Sequence, residues 1–188
     1  MPSETGGVAS TILILYSTTD GHTLEICERL RDVLVGLGHE VELAPVAGTP
    51  SRPLEQWDRI VLGAAIRYGR HKREVYDFVR RHGEILASRP NAFFSVNAVG
   101  RKPHKRQADT NPYVRKFLSQ IAWQPQQVEI FGGKIDYPRY GRFDRAMIRF
   151  IMWMTKGPTD PRSVTDFTDW DQVDAFARRL GGSHQQAF

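Results

Sequence analysis

The sequence predicts an open parallel α/β sheet with helices on both faces. Three observations carry this: five short β-rich runs alternate with helical patterns, the first run ends in a polar turn directly before an amphipathic helix, and no repeat or low-complexity tract breaks the alternation. The 188 residues suit one domain, and 40% hydrophobic residues suffice for a packed core.

The elements follow in order. Thr11–Ser17 (TILILYS) reads as a buried parallel strand. After the turn Thr18–Thr23, Leu24, Cys27, Leu30, Val33/Leu34 and Leu37 recur at helical spacing, and Gly36 and Gly38 end that helix. Glu40–Val46 alternates as strand two, and a Pro/Gly/Ser-rich loop follows. Trp57–Ile66 is strand three, with a helix from Lys72 to Ala87; Pro90 breaks it ahead of strand four, Ala92–Val99. A helix spans Asn111–Ile121 with Pro112 in its first turn, and Val128–Ile135 is strand five. Trp170–Leu180 is the last helix, N-capped by Asp169 and followed by Gly181. Trp57 and Trp170 open elements as packing residues. Residues 1–10 read as a flexible leader and 11–188 as the domain. Residues 136–168 form a long insertion, of a length that is uncommon in a compact fold and often functional.

Several classes are excluded. The longest apolar runs fall far short of the roughly 20 residues of a membrane span. The polar N-terminus is no secretory signal. A single cysteine, Cys27, suits a reducing cytoplasm and lies on the apolar stripe of the first helix as inert core. The histidines show no metal-ligand spacing, so no metal site is expected.

The net charge of +5 conceals its distribution. Arg67–Arg73, Arg101–Arg106 and Arg139–Lys156 each carry four excess cations, so the rest of the chain is acidic. These segments follow strands three, four and five. They therefore share the carboxyl edge of the sheet, where ligands of such folds bind.

Ser17, Thr18, Thr19, Asp20, Gly21, His22 and Thr23 form a hydroxyl-rich turn before a helix N-terminus, a socket for a phosphate monoester. The turn lacks the glycine spacing and lysine of a P-loop and lacks GxGxxG, which disfavours triphosphate hydrolysis and dinucleotide binding.

S-T-x-D-G-x-T after the first of five βα units resembles the flavodoxin fold. GAAIRYG (63–69), FSVNAVGRKPHK (94–105), TNPYVRKFL (110–118) and YPRYGRFDRAMIRFIM (137–152) together resemble the flavodoxin-like menaquinone-dependent protoporphyrinogen IX dehydrogenases. The resemblance covers nearly everything after residue 10. It implies strand order 2-1-3-4-5, FMN as cofactor, oxidation of protoporphyrinogen IX to protoporphyrin IX in haem biosynthesis, and menaquinone or ubiquinone as acceptor. It also implies a cytoplasmic protein, peripheral on the cytoplasmic face of the membrane. The expected FMN contacts are the phosphate turn, the loop Ala65, Ile66, Arg67, Tyr68 and Gly69, and the segment Ser95, Val96, Asn97, Ala98, Val99 and Gly100. The second ring loop has no aromatic residue, so one flavin face is expected to be uncovered for a flat substrate, unless Tyr137, Tyr140 or Phe143 fills the gap. Arg67, Arg101, Lys102 and Arg139 are candidates for the substrate's propionates. No carboxylate–histidine dyad is evident as a base; Asp20, Asp136 and Asp144 are nearby, and the chemistry can rest on the cofactor.

Two other readings stand beside this one. An electron-carrier flavodoxin would need no substrate of its own, but such carriers usually present an acidic face. A nucleic-acid binder would use the cationic edge and leave the phosphate turn without a purpose.

The insertion carries a further expectation. At about 100° per residue, Arg142, Arg145, Arg149 and Lys156 fall within an arc about 60° wide, with Phe143, Phe150 and Trp153 on the opposite side. This is the pattern of an amphipathic helix on an anionic membrane surface.

Overall fold

In the computed structural model, residues 9–182 are described. The chain runs β1 (Thr11–Ser17), α1 (His22–Gly36), β2 (Glu40–Pro45), β3 (Arg59–Ala65), α2 (Arg73–Ala87), β4 (Asn91–Asn97), α3 (Pro112–Ser119) and β5 (Val128–Gly132). It continues through β6 (Lys134–Asp136), α4 (Arg142–Met154), β7 (Val164–Asp166) and α5 (Trp170–Gly182). Five parallel strands form one sheet in the order β2-β1-β3-β4-β5.

Alternation along the strands builds two cores. Leu13, Leu15, Ile60, Leu62 and Phe93 face α2 and α3 with Val75, Val79 and Phe117. Ile12, Ile14, Val61, Phe94 and Phe131 face α1 and α5 with Ile26, Leu30, Phe176 and Leu180. Cys27 is buried here, and burial pushes its thiol well above the usual range, so it is inert. Arg29 of α1 forks the Asp174 carboxylate of α5 with two bonds of 2.7 Å.

Four expectations need correction. Of the leader, residues 1–8 lie outside the described residues; Ser10 is buried and its N–H donates to His39 Nδ1 at 3.2 Å, so it belongs with the body. Strand five does not run to Ile135. It stops at Gly132, because the backbone of Phe167 crosses there: a Cβ on Gly132 would lie 2.2 Å from the Phe167 carbonyl oxygen. Lys134–Asp136 turns off and pairs antiparallel with Val164–Asp166. Trp57 is buried, but Trp170 is half-exposed, edge-on to the His22 ring at 6.1 Å. Gly181 lies within α5 instead of following it; the predicted cap holds, since Asp169 Oδ1 accepts from Gln172 N at 3.2 Å.

The outer edge of β5 is covered within the chain. The Thr168 hydroxyl donates to Gly132 O at 3.0 Å and Gln172 Nε2 to Ile130 O at 3.2 Å. The insertion is ordered into β6, α4 and β7, with its own small core of Ile135, Tyr137, Tyr140 and Met152.

Candidate functional site

A cleft opens at the carboxyl edge of the sheet. It is lined by the phosphate turn, the loops after β3 and β4, and the inner face of α4. The turn takes its shape from Gly21, at φ +88°, whose N–H donates to Thr18 Oγ1 at 3.0 Å. Ser17 Oγ donates to Glu74 Oε1 at 2.6 Å and Lys72 Nζ to the Thr18 carbonyl at 2.6 Å, which ties the turn to α2. His22 bridges outward: its ring nitrogens lie 2.8 Å from Glu25 Oε2 and 2.6 Å from Thr168 Oγ1.

A phosphate monoester fits this turn. The first amides of α1 have no intrahelical acceptor. Thr23 Oγ1 is buried on the cleft without a hydrogen-bond partner, a polar atom that an anionic oxygen would satisfy.

The loop after β3 turns through Tyr68 at φ +51° and Gly69 at φ +76°. His71 closes it from beneath: it is buried, its Nδ1 lies 3.1 Å from Ala65 O, and burial lowers its pKa to about 4, so Nδ1–H donates from a neutral ring. The loop after β4 is held by Asn97, whose Oδ1 accepts from Gly100 N at 2.9 Å and from Asn111 Nδ2 at 3.2 Å, while its Nδ2 donates to Ser95 Oγ at 3.1 Å. Asn111 Oδ1 in turn caps α3 through Tyr113 N and Val114 N.

Of the expected contacts, Thr18, Thr19, Asp20, His22, Thr23, Ala65, Ile66, Arg67, Tyr68, Gly69, Val96, Asn97, Ala98 and Val99 line the cleft. Ser17, Gly21, Ser95 and Gly100 do not line it. The face that the aromatic-free loop leaves open is closed by α4, with Ile148, Ile151, Met152 and Thr155 in the cleft, and by Tyr140. Tyr140 was one of the three aromatic residues expected as an alternative filler of that gap, whereas Ile148, Ile151, Met152 and Thr155 were not placed in the cleft from the sequence. Ile148 and Met152, apolar beyond one stripe of the helix, were the available signal.

The candidate cations differ in their commitments. Arg67 lies between two tyrosines, 5.3 Å from the Tyr68 ring centroid and 5.2 Å from that of Tyr140. Its Nη1 donates to Asp20 Oδ2 and its Nη2 to Asp144 Oδ2, both at 2.7 Å, and the Tyr68 hydroxyl donates to Asp144 Oδ1. The Tyr68 hydroxyl, with Arg67, holds the Asp144 carboxyl below the usual carboxylate range. Arg101 donates to Ala98 O at 2.7 Å, Thr155 O at 2.8 Å and Thr155 Oγ1 at 3.0 Å, pinning the far end of α4. Arg139 Nη1 reaches Asp20 O at 3.4 Å, and neither Arg139 nor Lys102 lines the cleft.

On and just after α4, two of the four residues of the expected cationic stripe are bonded to backbone carbonyls. Arg145 donates to the carbonyls of Tyr137 and Tyr140, each at 3.1 Å, and Arg149 to that of Thr159 at 3.0 Å. Arg142 and Lys156 are exposed at the two ends. Phe143 and Trp153 are 73% and 70% exposed, with Phe150 and Met154 beside them. Among the described residues no helix is long and apolar enough to cross a membrane.

Residues 13–162 match the model of a flavodoxin domain family. Oxidised flavodoxin 2 from Bacillus cereus superposes with a TM-score of 0.54 over 91% of this chain and 97% of that one at 19% identity, a likeness of fold. The chain is 45% identical over 168 residues to protoporphyrinogen IX dehydrogenase [quinone] of Escherichia coli (strain K12), covering 89% of this chain and 93% of that protein. It is 42% identical over 166 residues to the protein of the same name from Leishmania major, covering 88% and 72%. A flavodoxin fold, a cleft closed by an inserted helix and this level of identity give one conclusion: the chain belongs to the family of protoporphyrinogen IX dehydrogenases [quinone].

Proposed function

We propose that the protein oxidises protoporphyrinogen IX to protoporphyrin IX, with FMN in the cleft and a membrane quinone as acceptor. The observation that carries this reading is the double role of α4: Ile148, Ile151 and Met152 line the cleft, while Phe143, Phe150, Trp153 and Met154 face outward. A carrier that only exchanges electrons has no need of an apolar wall over its cofactor. When bound, FMN supplies two-electron redox chemistry. Thr18, Thr23 and the first amides of α1 hold its phosphate. The loops 65–69 and 96–99 would hold its ring, and α4 with Tyr140 would shield the cleft from water. Complete oxidation removes six electrons and six protons in three rounds, each reducing one quinone to quinol.

The outward patch of α4 seats the protein on an anionic membrane surface on the cytoplasmic side, where the quinone resides. Arg142 and Lys156 add about 1 kcal/mol each near such a surface, and the aromatic rings insert. Nucleic acid has no place in this reading.

The test is porphyrin fluorescence developing with a quinone under anaerobic conditions. Protein that purifies with FMN but forms no porphyrin is a carrier; protein without flavin refutes the cofactor. Flotation with anionic vesicles tests the surface. Wild type should float, and Phe150→Ser/Trp153→Ser and Arg142→Glu/Lys156→Glu should float less; equal flotation of all three makes α4 a wall and not an anchor.

A further inference from the structure

We infer that Arg67 Nη2 and the Tyr68 hydroxyl form a carboxylate subsite at the mouth of the cleft, and that Asp144 occupies it in place of a substrate carboxylate. The inference rests on the reading of the substrate as a porphyrinogen, whose carboxylates need a cationic or hydroxyl donor at the edge of an apolar cleft.

The structure shows this subsite with a carboxylate in it. Asp144 Oδ2 accepts from Arg67 Nη2 at 2.7 Å, and its Oδ1 accepts from the Tyr68 hydroxyl, so each oxygen has its own donor. Arg67 is preset for this: Asp20 fixes its other nitrogen at 2.7 Å and two tyrosine rings sandwich the guanidinium. Tyr68 is preset too, held at a positive φ by the turn with Gly69.

Asp144, by contrast, stands on the first turn of α4, outside the loops that carry its donors. A substrate carboxylate has the same charge and the same two acceptor oxygens, so exchange leaves the net charge of the cluster unchanged. The other cations are less suited. Arg101 spends both terminal nitrogens on Ala98 and Thr155, and Arg139 and Lys102 do not line the cleft.

Displacing Asp144 removes the bond between the first turn of α4 and the loop after β3, while Arg145 still holds that turn to the carbonyls of Tyr137 and Tyr140 and Arg101 holds the far end at Thr155. Asp144 competes with the substrate; it does not assist its binding. Removing it should tighten the complex, the opposite of what removing a binding residue does.

The experiment is a fluorescence titration of the flavin-loaded protein with protoporphyrin IX and with its dimethyl ester, in neutral detergent. Asp144→Asn should bind the diacid about three- to tenfold more tightly than wild type, with the ester unchanged. Tyr68→Phe should bind the diacid more weakly and the ester as before. Asp144→Asn binding the diacid no more tightly, or gaining equally for both porphyrins, overturns the inference and leaves the substrate reading standing. Wild type binding neither porphyrin overturns the substrate reading and the inference with it. If Asp144→Asn loses its cooperative melting, Tyr68→Phe decides: an unchanged diacid affinity overturns the subsite.

Discussion

The two walls of the cleft are fastened in different ways. The loops of the sheet wall leave buried strand ends and are held by buried side chains bonded to backbone: Asn97 to Gly100, Asn111 to α3, His71 to Ala65. The α4 wall is held across the cleft by polar side chains at its two ends, Asp144 on Arg67 and Tyr68, and Thr155 under Arg101. Buried bonds of the first kind cost a desolvation penalty when broken, whereas half-exposed ones exchange with water. One wall is built to keep its shape and the other to let go.

Three measurements break or sharpen this contrast. The largest effect should come from Asn97→Ala, which strands the buried Gly100 N–H and leaves Asn111 Nδ2 with only its bond to the Lys105 carbonyl. A loss of about 3 kcal/mol in denaturant unfolding is expected, with loss of bound flavin. A loss below about 1 kcal/mol would place the sheet wall on the same footing as α4. Acid should come next. His71 is held neutral at a pKa of about 4 against an ordinary 6.5, so the unfolded chain takes up the proton first. Its folded pKa is depressed, so stability is full above pH 6.5 and falls as pH drops toward 4, by up to about 3 kcal/mol. His71→Phe should flatten that part of the stability–pH curve, and an unchanged slope would refute the assignment. The smallest global effect should come from Arg101→Ala. Hydrogen exchange over 142–157 should rise at least tenfold while that of β1 and β3 stays as in wild type. Uniform exchange across both walls would show that α4 belongs to the rigid body.

The strands and the cleft loops were legible because each rests on local chemistry, whereas the strand order came from the family resemblance. TILILYS must be buried, a hydroxyl-rich turn before a helix presents free amides, and Pro112 belongs in a first turn. Strand five misled because VEIFGGKI is β-prone on either side of Gly132-Gly133, and the long-range crossing of Phe167 over Gly132 stops it there. The amphipathicity of α4 was visible, but its orientation was not. Helical periodicity reports which residues share a face, and it cannot say that Ile148 and Met152 look into a cleft while Phe150 looks away. The tethers of Arg145 and Arg149 were hidden for a related reason. Their carbonyl acceptors, on Tyr137, Tyr140 and Thr159, are brought to them by turns at either end of the helix. No composition rule marks a carbonyl as waiting for an arginine.

The plugged carbonyls of β5 bear on how the protein behaves at high concentration. An outermost strand with open acceptors is a template for a strand from another molecule, the first contact in edge-to-edge aggregation. Here Thr168 and Gln172 already donate to Gly132 and Ile130, so those two acceptors are closed to a sixth strand. The chain segment that returns from the insertion therefore acts as a gatekeeper for the sheet. A variant with Thr168→Val and Gln172→Leu would take both donors from those acceptors, and aggregation from the folded state is the property it should gain.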